Sequence, residues 1–153
     1  MRRRDLFRLV LGGMTGLVSV RRAGAAAGAR FLYLQPLGDD LPAADVELVR
    51  RGLTALLGIA TRLLPRVPLP PAAYYPPRRR YRAEKLLDFL DGRLPPDGAR
   101  ILGLTGVDIS TTKGRVFDWG LLGLGRIGGA SSVISELRCR MRSSGPANAR
   151  ERL

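Results

Sequence analysis

The glycines at positions 123, 125 and 128 form a G-x-G-x-x-G pattern within the segment GLGRIGG. A dinucleotide site of this kind needs a strand before it, a helix after it and an acidic residue about 20 residues further on. The segment that follows, ASSVISELRCR, instead has the alternating apolar and polar residues of a strand. We therefore interpret these glycines as a loop or bulge in which two backbones approach closely, and not as a nucleotide site.

Two aspartates, Asp108 and Asp118, are candidate acids or metal ligands. Asp108 lies near two threonines and Lys113 in the segment DISTTKG, which is an ordinary composition for a loop. The chain contains no G-K-[ST] sequence that would bind a phosphate. Asp118 lies beside Trp119 and, like Asp108, has no complete set of catalytic residues near it in the sequence.

The single cysteine, Cys139, lies among Arg138, Arg140 and Arg142, whose charge favours a thiolate. We favour a buried or incidental cysteine over a nucleophile, since the chain has no histidine that could act as its base. One cysteine also excludes an intrachain disulfide. The absence of histidine removes the commonest metal ligand and the usual general base near neutral pH. We therefore predict no catalytic, cofactor-binding or metal-binding residue in these 153 residues.

The formal net charge of +13 invites a nucleic-acid interpretation. Almost every basic residue is an arginine, however, with Lys85 and Lys113 the only lysines, which indicates a coding bias toward arginine as much as a functional surface. The one dense basic run after the leader is RRRYR, from Arg78 to Arg82. We predict that this run is a solvated loop or an ion-pairing face, and we expect no nucleic-acid partner.

The first 29 residues have the three parts of an export signal. A basic start precedes an apolar stretch from Leu9 to Val20, and small residues follow with A-x-A patterns that end at Ala25 and Ala29. The apolar stretch is 12 residues long, too short for a helix to cross about 30 Å of hydrocarbon. The segment RRDLF at 3–7 is similar to a twin-arginine signal, so we expect a protein exported to the periplasm or the extracellular space. A basic, disordered N-terminus is the alternative.

The apolar pattern after the leader predicts alternating strands and helices. The run FLYLQPL at Phe31 to Leu37 predicts a buried strand, and apolar residues at helical spacing predict a helix from Pro42 to Leu64 that Pro65 ends. The proline-rich segment at 67–81 predicts an extended or edge-like connector. A second helix is predicted from Arg82 to Asp91, with Gly92 as its C-cap.

The second half of the chain is richer in strand signals. RILGLTGVDI, from Arg100 to Ile109, predicts a strand, STTKGR a loop, and Ala130 to Arg142 a half-buried or edge strand. Ser144 and the residues after it resemble the start of a helix. This order predicts an α/β or α+β fold, a small twisted mixed sheet with two backing helices.

Four framework segments together resemble the archaemetzincins, a family of zinc metallopeptidases within the metzincins. They are YLQPLG, AYYPPRRRYRAEKLLDFL, ILGLTGVDI and VFDWGLLGLGRIGGASSVISELRCR, and they follow one another from about Phe31 to Leu153. None of them is catalytic. The resemblance implies a domain at 30–153 that corresponds to the N-terminal subdomain of a metzincin, with its last strand, around Ser131 to Arg138, as an edge strand where substrate backbone could pair.

In the family, a helix after this strand carries H-E-x-x-H-x-x-G-x-x-H, whose histidines hold zinc and whose glutamate acts as general base. No position of this chain matches a zinc ligand or that glutamate, and Glu151 has no flanking histidines. The resemblance therefore implies a part of an exported zinc peptidase that ends before the zinc helix and is inactive as written. Zinc belongs to the family, and we expect none on this chain.

Two other functions remain open on the sequence alone. The first is a non-catalytic peptide- or protein-binding module built on the same sheet. The second is a basic nucleic-acid binder, which would show steep salt dependence.

Overall fold

The computed structural model describes Gly28 and residues 31–141. Within these residues lie nine strands, three α-helices and two short 3-10 turns, arranged as two sheets. The mixed α/β class predicted from the sequence is confirmed, whereas a second sheet was not predicted. No helix in this part of the chain is both long enough and apolar enough to cross a membrane.

The larger sheet has five strands. They are β1 (Phe31–Leu37), β2 (Ala60–Leu63), β5 (Gly98–Thr105), β8 (Gly123–Gly125) and β9 (Ser131–Ser135), in the spatial order β2-β1-β5-β9-β8. Four of them are parallel, and only β8 runs antiparallel to its neighbour. Parallel strands are normally covered on both faces, and β1 and β5 are accordingly buried along most of their length.

Two helices cover opposite faces of this sheet. α1 (Ala43–Leu57) packs its residues Val46 and Val49 against Leu34 and Leu102 of the sheet. α2 (Ala83–Asp91) packs its leucines against Ile101 and other residues on the opposite face. Because side chains alternate along a strand, the even-numbered residues of β1 and β5 meet α1 and the odd-numbered ones meet α2.

The smaller sheet has the spatial order β3-β4-β6-β7. Its strands are β3 (Tyr74–Tyr75), β4 (Arg80–Arg82), β6 (Ile109–Lys113) and β7 (Val116–Leu121). The segment predicted to be an extended connector contains β3, β4 and the 3-10 turns Pro71–Ala73 and Pro76–Arg78. The predicted loop STTKGR is wrong in its first four residues, because residues up to Lys113 form β6 and only Gly114 and Arg115 make the turn to β7.

The helix predicted from Pro42 to Leu64 is too long. α1 ends at Leu57 because Gly58 adopts a left-handed conformation, with φ of +62°, and its N–H caps the carbonyl of Thr54. Residues Ala60–Leu63 then form β2, which pairs in parallel with β1. Leu63 keeps the helical spacing of the preceding apolar residues, which is why the pattern alone did not separate the strand from the helix.

The strand predicted over Ala130 to Arg142 is also too long, and its place in the sheet differs from the expectation. β9 ends at Ser135, and Leu137–Met141 form a short helix, α3. β9 lies between β5 and β8, so the predicted edge strand around Ser131 to Arg138 is internal and β8 is the edge. The helix predicted from Ser144 onward lies outside the described residues.

Candidate functional site

The outer edge of β8 is open in the part of the chain that the structure describes. Ser135 donates its backbone N–H to the carbonyl of Leu122 (2.7 Å), and Arg126 donates to Ser131 (3.2 Å). In an antiparallel pair, residues bonded to the partner alternate with residues whose backbone groups point away. Residues 122, 124 and 126 therefore face β9, and the N–H and C=O groups of Gly123 and Gly125 point outward.

The glycines keep this edge free of side chains. A Cβ at Gly123 would lie 2.8 Å from the carbonyl oxygen of Val133, so glycine is required there for the strands to approach. Neither glycine shields the outward backbone groups, which are consequently accessible to another extended chain. Leu122 and Ile134 flank the edge with 44% and 38% of their surface exposed.

A turn at residues 126–129 closes the end of β8 and is held in place by arginines. Arg126 contacts Asp88 (2.6 Å) and Asp91 (3.3 Å) of α2, and the carbonyl of Gly129 accepts a hydrogen bond from Arg100. Ile127 at its tip is fully exposed. Beside the turn, on the α1 face, an open groove of about 410 Å³ is lined mostly by apolar side chains.

The predicted G-x-G-x-x-G pattern therefore lies in a strand edge and a turn. Its first two glycines belong to β8, and Gly128 takes a left-handed conformation with φ of +74°. The element that follows is the strand β9, not a helix. The predicted close approach of two backbones occurs at Gly123, but Gly123 and Gly125 lie in a strand and not in the predicted loop or bulge.

Asp108 and Asp118 both belong to an ion-pair network on the smaller sheet. Arg80 contacts Asp108 (2.6 Å) and Asp118 (2.8 Å), and Arg78 contacts Asp118 (3.2 Å). Arg138 of α3 makes two hydrogen bonds to Asp108, at 2.8 and 3.1 Å. The prediction that the arginine run forms an ion-pairing face is confirmed, and neither aspartate is available as a free acid.

Two carboxylates of this sheet have lowered pKa values. Burial alone would raise the pKa of Asp118, but Ser110 and the guanidinium groups of Arg80 and Arg78 hold it below its usual range. Burial would also raise the pKa of Glu84, but the hydroxyl of Thr111 and backbone N–H groups lower this pKa below its ordinary value. Both side chains are therefore stabilised as anions, which suits charged partners in a framework more than proton transfer.

A second acidic cluster joins α3 to α1, and the sequence reasoning missed it. Asp45 and Glu136 are buried, with 2% and 3% of their surface exposed, and Arg140 pairs with both. Burial raises the pKa of Glu136, and Asp45 adds to this while Arg140 opposes it. The signal in the sequence was the spacing of Glu136 and Arg140 by four residues, which is typical of a helical ion pair.

Cys139 lies in α3 and is partly exposed as a free thiol. The arginines on either side of it, Arg138 and Arg140, point their guanidinium groups to Asp108 and to the Asp45–Glu136 pair. The structure thus assigns these cations to positioning α3.

Two solved structures of archaemetzincins are similar to this chain over most of its length. The archaemetzincin of Archaeoglobus fulgidus, crystallised as a complex with malonate, is 29% identical, with a TM-score of 0.63 over 80% of this chain and 69% of that one. The archaemetzincin of Methanopyrus kandleri is 27% identical, with a TM-score of 0.63 over 84% of this chain and 69% of that one. The chain is archaemetzincin-like.

A third structure supports the fold of this archaemetzincin-like chain. The zinc-dependent peptidase of Methanocorpusculum labreanum is 18% identical, with a TM-score of 0.60 over 78% of this chain and 73% of that one. No protein-family model and no curated protein matches the chain.

The described residues of the archaemetzincin-like chain bring together no set of side chains that fits a zinc site. Zinc in proteins takes histidine, cysteine and carboxylate ligands, usually four in tetrahedral arrangement. The sequence contains no histidine and one cysteine, and no three potential ligands converge among the described residues. Asp108 and Asp118 are instead bound by arginines.

Proposed function

We propose that this chain forms the peptide-binding sheet of an archaemetzincin-like zinc peptidase and that its 153 residues do not hydrolyse peptides by themselves. The observation that carries the proposal is the open antiparallel edge at β8 in a chain similar to two archaemetzincins. Outward N–H and C=O groups at such an edge can pair with an extended peptide, which supplies affinity through main-chain hydrogen bonds.

The binding step has a direct test in backbone hydrogen exchange. We expect the amides of Leu124 and Arg126 to be protected in the free chain, since they face β9, and the amides of Gly123 and Gly125 to exchange rapidly. An extended peptide should slow the two glycines while leaving Leu124 unchanged. Protection of Gly123 and Gly125 that is the same with and without peptide would contradict peptide pairing at this edge.

We further propose that the zinc ligands and the general base of the peptidase are not among these residues. The support is compositional, since histidine is absent from the chain. Metal analysis of the purified chain after incubation with zinc should find no stoichiometric metal, and a peptide library should remain uncleaved. One tightly held zinc per chain would overturn this part of the proposal.

The nucleotide sequence that follows the Leu153 codon offers a second check. If the chain is part of a longer peptidase, an H-E-x-x-H sequence should occur within a dozen or so codons in one of the three frames. Three frames without it would count against a peptidase fragment. They would favour the alternative function, a non-catalytic peptide- or protein-binding module on the same sheet.

One structural observation favours the alternative function of a peptide- or protein-binding module. Each face of the larger sheet carries a cluster of buried apolar side chains drawn from the described residues. Cooperative unfolding of residues 30–153, together with peptide binding and no hydrolysis, would be the result expected of a binding module.

Export through a twin-arginine signal is the remaining part of the proposal. The support is the leader sequence, with Arg3 and Arg4 before an apolar stretch. A folded reporter fused to residues 1–29 should reach the periplasm, and replacement of both arginines by lysine should retain it in the cytoplasm. Equal export of the two fusions would refute a twin-arginine route.

A further inference from the structure

The strand β7 carries an aromatic surface that the described residues leave half uncovered. Leu121, at its end, packs against the core between the sheets and α2. Trp119 lies two residues earlier on the same face and is 47% exposed. Phe117 lies beyond an irregularity in the pairing of β6 with β7, contacts Tyr75 and Arg82, and is 55% exposed. Val116, at the start of the strand, is 48% exposed.

The strand β7 is also outermost in its sheet. Within the described residues it is hydrogen-bonded only to β6, so its other edge is open. Exposed edge strands with apolar side chains are unusual, because they pair with other chains unless something protects them. β7 has no proline and no lysine along its six residues, and its pairing with β6 is irregular between Thr111 and Lys113.

Two cations contact the aromatic side chains of this strand. Lys113 lies 4.6 Å from the centre of the Trp119 ring, and Arg82 lies 4.2 Å from that of Phe117. Lys113 and Arg115, in and beside the turn that opens β7, have no carboxylate in salt-bridge range among the described residues, in contrast to the paired Arg80 and Arg82. Their positive charge is therefore not neutralised by the part of the chain that the structure describes.

We propose that β7 is an exosite that binds extended peptides with acidic side chains, by adding the peptide as a further strand of the smaller sheet. The open backbone supplies hydrogen bonds, Phe117 and Trp119 supply apolar contact, and Lys113 and Arg115 pair with acidic side chains of the peptide. Leu122 is the only residue between β7 and β8, so the open edges follow one another directly along the chain.

A peptide fits this surface better than a nucleic acid does. Most arginines of the smaller sheet are already bound to Asp108, Asp118 or Glu84, which leaves few cations to follow a phosphate backbone. A row of free N–H and C=O groups has a natural partner in another peptide backbone and none in a phosphodiester chain. The charge and the strand edge together therefore select an acidic peptide.

If the chain is part of a peptidase, the exosite would select substrates with acidic side chains, and this part of the inference rests on the proposed function. Binding itself needs neither zinc nor hydrolysis. A binding measurement therefore tests the exosite even if the chain has no part in catalysis, and the exchange of Gly123 and Gly125 tests the peptidase edge separately.

Trp119 makes the test specific, because it is the single tryptophan of the chain. The full chain is titrated with a short peptide that alternates glutamate with valine, capped at both ends, and Trp119 emission and acrylamide quenching are followed. We expect a saturable emission change and reduced quenching. The same peptide with alternate backbone nitrogens methylated should not bind, because it cannot complete the strand pairing, and a lysine–valine peptide should bind weakly or not at all.

Charge variants give the matched control. The double variant Lys113→Gln/Arg115→Gln should raise the Kd of the acidic peptide about fivefold, as expected for the loss of two exposed ion pairs. The double variant Arg51→Gln/Lys85→Gln removes the same charge from exposed positions of α1 and α2 and should leave the Kd unchanged.

Three outcomes would overturn the exosite. The first is an unchanged Trp119 signal at saturating peptide, or a tryptophan already inaccessible to acrylamide in the free chain. The second is equal weakening by both double variants, which would indicate a response to overall charge. The third is tighter binding of a single-stranded oligothymidine than of the peptide, with the methylated peptide as good as its parent, which would indicate a nucleic-acid surface.

Discussion

Arg138 of α3 holds Asp108, in the connection between β5 and β6, by two hydrogen bonds of 2.8 and 3.1 Å. The two side chains are 26% and 18% exposed, so the pair is largely shielded from water. Asp108 also accepts a hydrogen bond from Arg80 of β4. This carboxylate therefore joins the short helix after β9 to the smaller sheet, and it fixes the direction in which the chain leaves the larger sheet.

Removal of the Asp108 carboxylate should lower the stability of the protein. Asp108→Asn leaves two arginines without their charge partner in a partly buried site, which should lower the free energy of unfolding by about 2 kcal/mol, between the values for exposed and buried pairs. Urea denaturation gives the measurement. Asp88→Asn is the control, since the Asp88–Arg126 pair is exposed and its loss should matter less. Equal losses in the two variants would show that Asp108 has no special place in the framework.

Gly120 should be intolerant of a side chain because of the same arginine. A Cβ at this position would overlap Nη2 of Arg138, so Gly120→Ala must displace the guanidinium from Asp108. Gly125→Ala is the control, since its Cβ would make an ordinary contact of 3.7 Å with Ser132. A double-mutant cycle with Arg138→Ala should show that the cost of Gly120→Ala largely disappears without the arginine. Additive losses would contradict the steric explanation.

Replacement of Gly52 and of Gly58 by alanine should change the free energy of unfolding in opposite directions. Gly52 is exposed inside α1 with open space around it, so Gly52→Ala should stabilise the protein by about 0.5–1 kcal/mol. Gly58 also has open space, but its φ of +62° strains an alanine, so Gly58→Ala should destabilise by about 1 kcal/mol. Thermal and urea unfolding measure both. A stabilising Gly58→Ala would mean that α1 does not end where the structure places its end.

The acidic cluster at α3 predicts a specific pH dependence. Burial raises the pKa of Glu136 above its ordinary value of 4.5, with Asp45 adding to the rise and Arg140 opposing it. Folding therefore takes up a proton at Glu136, and the stability that this contributes is full below pH 4.5 and lost as the pH rises through the folded pKa. Glu136→Gln cannot ionise, so its stability relative to the natural chain should increase over that rise.

Glu84 provides the opposite control for this titration. Its pKa is lowered in the fold, so its contribution is present above pH 4.5 and lost as the pH falls through the folded pKa. Glu84→Gln should therefore lose stability relative to the natural chain as the pH rises. Urea titrations at a series of pH values measure both differences. If the difference in the free energy of unfolding between Glu136→Gln and the natural chain does not vary with pH, the pKa of Glu136 is not raised.

The elements that the sequence predicted best are those whose signal is local. The apolar run FLYLQPL ends at a glycine, and the structure forms β1 over the predicted residues, Phe31–Leu37. α2 has leucines at helical spacing followed by Gly92, and it was predicted to within one residue. In both cases one side-chain period and one glycine decide the element, so no distant contact is required.

The elements that were missed depend on partners that are distant in sequence. Ala60–Leu63 continues the apolar spacing of α1, and it becomes a strand because β1 offers a parallel edge beyond the Gly58 turn. β8 is glycine-rich, a composition that disfavours strands, and it forms because β9 lies beside it. The edge expected at β9 was wrong for that reason, since three residues of β8 cover it.

The sequence by itself determined the mixed α/β class, the family resemblance and the lack of histidine, because these depend on composition and on framework motifs. Only the tertiary structure decided which backbone groups are open and which carboxylates are free. Among the described residues, the open edge at β8, the exposed aromatic side chains of β7 and the two arginines that hold Asp108 all depend on how strands and helices pack together. These contacts join residues that are distant in the sequence, so long-range packing determines them and residue type alone does not.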